Sequence, residues 1–292
     1  MNMLRSYSKG IREALLRPQA AAILWIFNAA FAAIVYFVAS GAVTEALGRS
    51  LAADDLLSRS NVDALFELLT GPGGALAALL TVILVLLFLF ILVSPLLYGG
   101  ILQDLIHPRA GGGFASSFWS GAGRHYWRFL RVLPASLVLW APAAALYFLA
   151  DRVLDALGAN PLKEQLGFYL TFVRVALALF LFFLVRMIMD YARIRIVVTE
   201  GHSALGALVW AAAFVLRKLG GTLALYYGLG LTALAGSAVL LGLSSLIAKT
   251  TSPAVLLGFL LTQLHILWRS GIKVAYQGAE LDFYTRTATS IK

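Results

Sequence analysis

The chain has 292 residues, of which 61% are hydrophobic and 13% charged, with no cysteine and a formal net charge of +9. Soluble domains carry roughly 25% charged residues, so this composition excludes a water-soluble globule. The lack of cysteine excludes disulfides, thiolate metal sites and cysteine nucleophiles. A mean hydropathy of +0.86 points instead to a polytopic membrane protein.

The N-terminal segment repeats Leu4, Tyr7, Ile11 and Leu15 at helical spacing, with Arg5, Lys9 and Arg12 off that stripe. Apolar runs follow at 20–39, 74–98, 132–150, 166–189, 221–248 and 253–275. Each is near the ~20 residues that cross a ~30 Å hydrocarbon core at ~1.5 Å per residue. The spacing predicts six transmembrane helices in one all-α bundle, a single domain over 1–292. The sixth run is interrupted by charge, since Arg269 and Lys273 leave 253–268 as its uncharged core. Long side chains at a helix end reach the headgroups, so it still counts as a span.

The connections differ in kind. The first, 40–73, is acidic, and Ser60 followed by Asp63 fits a capping box for a short surface helix over 61–69. A ligand-capturing lid is the alternative reading of that segment. The second holds a glycine-rich turn, Ala110–Phe114, then a segment with Phe118, Ala122, Tyr126 and Phe129 on one face and Arg124, Arg128 and Arg131 opposite. Within the fourth, 203–218 is mostly apolar through Leu205, Leu208, Val209, Ala212 and Val215, with Arg217 and Lys218 at its end.

These three amphipathic segments each precede an outgoing span, so the chain reads as three helical-hairpin repeats. The repeats begin on the same side and are parallel, whereas inverted repeats are the commoner signature of secondary transporters. The side of the termini holds 17 Lys and Arg against six Asp and Glu, and the opposite side five against eight. Positive charge marks the cytoplasmic side, so both termini are expected in the cytoplasm. The amphipathic helices should then lie at the cytoplasmic interface, against anionic lipid headgroups. A nucleic-acid surface is excluded, because its footprint is a clustered basic face on a soluble module.

Two features carry the functional expectation. Arg174 is the charge set well inside a span, where it either snorkels to the outer interface or serves a buried polar or anion-binding role. In the sixth run Thr262, His265, Arg269, Lys273, Tyr276 and Glu280 fall on one helix face. A polar stripe cannot face lipid tails without cost, so Arg174, Thr262, His265, Arg269, Lys273 and Tyr276 form the candidate polar cleft. His265 can exchange protons near neutral pH, or donate a structural hydrogen bond to a neighbouring helix. Arg186, Asp190 and Arg193 share a face and read as an ion-pair network. Ala224, Gly228, Thr232 and Gly236 form a small-residue groove for close helix approach. Pro95, Pro134 and Pro142 are candidate bends.

No phosphate loop, Gly-x-Ser-x-Gly elbow or His-Glu-x-x-His helix is present, and no cofactor, metal or catalytic residue is expected. The pairing of Tyr98…Phe118…Arg124–Arg131 with Tyr191-Ala-Arg-Ile-Arg195…Arg217 resembles a group of uncharacterised bacterial six-span membrane proteins. It is similar in style to the membrane domain attached to some glycerophosphodiester phosphodiesterases, over about Tyr98 to Lys218. Their catalytic barrel has no counterpart here, so the resemblance implies a bacterial cytoplasmic-membrane location and no activity. Two expectations follow: transport or handling of a lipid or small amphiphile, or a scaffold that organises partner membrane proteins.

Overall fold

The computed structural model describes residues 2–47, 75–107, 113–158, 164–247 and 251–288, which are all-helical with short breaks. Six of the helical stretches are long and apolar enough to cross a membrane, which makes this a multi-pass helical membrane protein. In chain order the helices are α1 (Asn2–Leu16), α2 (Pro18–Leu47), α3 (Ala75–Ile106), α4 (Phe114–Ala135) and α5 (Leu137–Gly158). They continue as α6 (Glu164–Thr199), α7 (Ala204–Arg217), α8 (Leu219–Ser245) and α9 (Ser252–Ala288). The chain forms two compact units, 22–94 and the remainder.

In the 22–94 unit the helices are apolar on all sides, as segments surrounded by acyl chains are. The rings of Phe27, Phe31 and Phe90 cluster with centroids 4.8 to 6.2 Å apart. Here α2 runs on to Leu47 where the sequence suggested an end near 39, because Ser40-Gly-Ala-Val-Thr44 contains no proline to stop it. The remainder of that connection, with Ser60, Asp63 and the expected helix over 61–69, lies outside the described residues, as does most of the Ala110–Phe114 turn.

The larger unit is organised by three short helix to long helix joints. A single non-helical residue separates α1 from α2 at Arg17, α4 from α5 at Ser136, and α7 from α8 at Lys218. At the second joint Pro134 supplies no N–H, and the Ser136 hydroxyl donates to the Leu133 carbonyl oxygen at 2.6 Å. The third long helix therefore begins at Leu137 and not at Val132, which is wholly buried on the inner face of α4 with Phe118, Ala122 and Phe129. Arg124 and Arg131 stay exposed on its other side. On α7, Leu208, Ala211, Phe214 and Val215 are buried, while Leu205 and Val209 are exposed.

The polar half of α9 explains why it extends to Ala288 when the apolar run stops at 275. Residues such as Val274, Ala275, Ala279 and Phe283 are buried, so protein rather than water or lipid covers the segment past the hydrocarbon core. The cover is α1. Gly10 sits so close that a Cβ there would stand 2.5 Å from both the Ala275 carbonyl oxygen and the Ala279 Cβ. The Asp282 carboxylate then accepts from Ser6 Oγ at 2.8 Å, Lys9 Nζ at 2.8 Å and Arg286 Nε at 2.7 Å. The first and last helices of the chain thus close the unit on one another.

Candidate functional site

A cleft of about 620 Å³ opens between α6, α8 and α9, with Tyr98 of α3 on its wall. Each element delivers one face. From α9 come His265, Arg269, Ile272, Lys273, Tyr276, Gln277 and Glu280, which recur at three- and four-residue spacing. Phe183, Arg186 and Asp190 come from α6, and Tyr226, Tyr227, Gly230, Leu231, Leu234 and Ser237 from α8.

The charges are unevenly balanced. Asp190 is held by Arg193 at 2.8 Å, and the Arg193 guanidinium also lies over the Tyr98 ring, 4.6 Å from its centroid. Arg186, Arg269 and Lys273 have no acidic partner within ion-pair distance among the described residues. In the same lining, Glu280 is 2% exposed and Gln277 5% exposed. The Oε1 atoms of both have no hydrogen-bond partner among the described residues. Burying a polar atom unpaired costs about 1–3 kcal/mol, so two at one place need explaining. The walls between are aromatic: the Tyr226 and Tyr276 rings lie 4.9 Å apart, and the Tyr276 hydroxyl donates to the Tyr226 carbonyl oxygen at 2.8 Å.

Four of the six cleft residues expected from sequence, His265, Arg269, Lys273 and Tyr276, line this space together. His265 Nε2 is 3.0 Å from Ser237 Oγ and ties α9 to α8. Thr262 does not line it, and its hydroxyl donates back to the Gly258 carbonyl oxygen at 2.9 Å. Arg174 is elsewhere: its Nε is 3.1 Å from Asp151 Oδ1, and the same guanidinium pairs with Asp155, both on α5. The apposition of α5 and α6 gives Arg174 local counter-ions, and it does not line the cleft.

Of the expected Arg186, Asp190 and Arg193 network, the Asp190–Arg193 ion pair is present, and Arg186 and Asp190 both line the cleft. The small-residue groove of α8 is filled from within the chain. The Tyr7 ring packs on Gly228 and its hydroxyl meets Thr232 at 2.5 Å, while the Trp268 indole sits against Gly236. Sequence reading missed Tyr98, Tyr226, Gln277 and the burial of Glu280. Tyrosine near a membrane interface is common enough to carry no signal by itself.

Comparisons with family models, curated proteins and solved structures find no match for this chain.

Proposed function

We propose that this is a multi-pass protein of a bacterial cytoplasmic membrane, termini in the cytoplasm, that binds and handles a phosphate-bearing lipid or small amphiphile in the α6–α8–α9 cleft. The reading makes it a transport or lipid-handling component with no covalent chemistry. One observation carries it: Arg186, Arg269 and Lys273 line one cleft, and none is within ion-pair distance of a carboxylate among the described residues. Charges at membrane depth are costly unless paired, and an anionic headgroup entering from the leaflet supplies the missing charge. Phe183, Leu231, Leu234 and Ile272 offer an apolar wall to the attached chain. The volume falls within the roughly 300–1,000 Å³ of small-molecule pockets. Orientation and location rest on the 17-to-six charge excess beside the termini and on the resemblance to bacterial six-span proteins.

The test is saturable binding of phosphatidylglycerol to the purified chain in nanodiscs of neutral lipid, followed by a vesicle lipid-exchange assay. Arg269→Ala and Lys273→Ala should each weaken binding about tenfold, the effect of losing one charge-assisted contact. Parental affinity in both variants removes the cleft as the site.

A further inference from the structure

The cations and the unpaired acceptors of the cleft ask for different things. Arg269 and Lys273 lie on the same face of α9 as Glu280, separated by Tyr276. Along the helix Lys273 to Glu280 is about 10 Å at 1.5 Å per residue. An anion satisfies only the cations. The buried Oε1 atoms of Glu280 and Gln277 have no partner among the described residues, and a fully ionised anionic group has no donor to offer them. These oxygens need a donor, and a carboxyl in an almost fully buried position is best matched by one that is positively charged. The rings of Tyr226 and Tyr276, 4.9 Å apart on the same wall, add π faces of the kind that attract ammonium groups.

We infer that the cleft selects a zwitterion, with a phosphate at Arg186, Arg269 and Lys273 and a primary ammonium at Glu280 and Gln277. The inference rests on the amphiphile-binding reading above and names the class of headgroup it takes. A primary ammonium is required because its N–H groups pair the orphaned oxygens, whereas a quaternary ammonium has no donor to offer. In this arrangement Tyr276 flanks the short linker between phosphate and nitrogen. Any acyl chains run along Leu231 and Leu234, towards the His265–Ser237 end of the cleft. The same aminoethyl phosphate group occurs on a phospholipid and in the water-soluble phosphoethanolamine.

The experiment measures equilibrium binding to the full chain in nanodiscs, using phosphatidylethanolamine, phosphatidylcholine and phosphatidylglycerol, with phosphoethanolamine as soluble competitor. The parent should favour phosphatidylethanolamine over each of the other two by about tenfold, the scale of one charge-assisted hydrogen bond. Glu280→Gln keeps the shape of the side chain and should abolish that preference. A parental thermal unfolding midpoint in the variant reports an intact fold. Competition by phosphoethanolamine at micromolar levels assigns the site to a soluble ligand, and its failure to compete assigns it to the lipid; both support the headgroup assignment. Equal affinity for phosphatidylethanolamine and phosphatidylcholine, or an undiminished preference in Glu280→Gln, overturns the inference and leaves anionic binding standing. Absence of saturable binding by any of the three lipids overturns the parent reading itself.

Discussion

Gly10 of α1 and Ala279 of α9 touch so closely that no side chain fits between them: a Cβ on Gly10 would lie 2.5 Å from that of Ala279. Residues 269 sequence positions apart thereby set the spacing of the first and last helices. Overpacking a fitted contact costs about 1–3 kcal/mol, so Gly10→Ala should lower the midpoint of thermal unfolding in detergent. Gly123→Ala is the control, because nothing lies within 4 Å of a Cβ there. Replacing that open helical glycine should hold stability constant or raise it by about 0.5–1 kcal/mol. Equal behaviour of the two variants contradicts the close crossing.

The same interface depends on one carboxylate. Asp282, whose side chain is 3% exposed, receives Ser6, Lys9 and Arg286. Lys9 is about half exposed and rehydrates once released, so Asp282→Ala should cost about 1.5–3 kcal/mol, the worth of hydrogen bonds to a charged group. The loss should concentrate on α1. Backbone amides of 2–16 should exchange with solvent faster in Asp282→Ala, while those of α6 keep their protection. Uniform acceleration along the chain argues against a local clasp.

His265 and Ser237 make a side-chain bond at 3.0 Å at one edge of the cleft. Each alanine variant should lose about 0.5–1.5 kcal/mol of stability. The double variant should lose less than the sum, since either change alone removes the shared contact. Lipid affinity should change far less than in Arg269→Ala, because His265 is already occupied by Ser237. A strictly additive double variant shows that the two residues do not meet.

How much of this was legible in the sequence follows from where the information sits. Six crossings are written in the length of apolar runs, and the one-face recurrence of His265, Arg269, Lys273, Tyr276 and Glu280 is written in helical periodicity. That α9 continues to Ala288 was not legible, because its last turns look like a polar tail until α1 is seen to cover them. Arg174 misled for a related reason. Depth along one helix was readable, but Asp151 and Asp155 belong to a neighbour whose register no single sequence fixes. Glu280 and Gln277 became informative only with burial and missing partners, which are properties of the packed state.

Arg174 supplies a direct contrast with the cleft cations. Its pairs with Asp151 and Asp155 are partly exposed, the guanidinium side chain being 31% accessible. Exposed pairs contribute about 0–1 kcal/mol. Arg174→Met should therefore leave phosphatidylglycerol affinity at the parental value and shift the unfolding midpoint only slightly. Loss of binding on the scale of Arg269→Ala would return Arg174 to the site.

The absence of native cysteine makes the crossings themselves testable without a background signal. Ser8, Trp127 and Ser203 are exposed on α1, on α4 and just before α7, all beside the basic ends of the helices. Arg152 is exposed towards the end of α5, one crossing away from α4. With six crossings, Ser8→Cys, Trp127→Cys and Ser203→Cys should share one labelling pattern and Arg152→Cys the opposite one. In the proposed orientation, with the lysine- and arginine-rich side in the cytoplasm, an impermeant maleimide added to intact cells should reach Arg152→Cys alone. Labelling of Ser8→Cys from outside the cell reverses the orientation, and with it the leaflet from which a headgroup enters the cleft. Labelling of Ser8→Cys and Arg152→Cys from the same side changes the number of crossings between them.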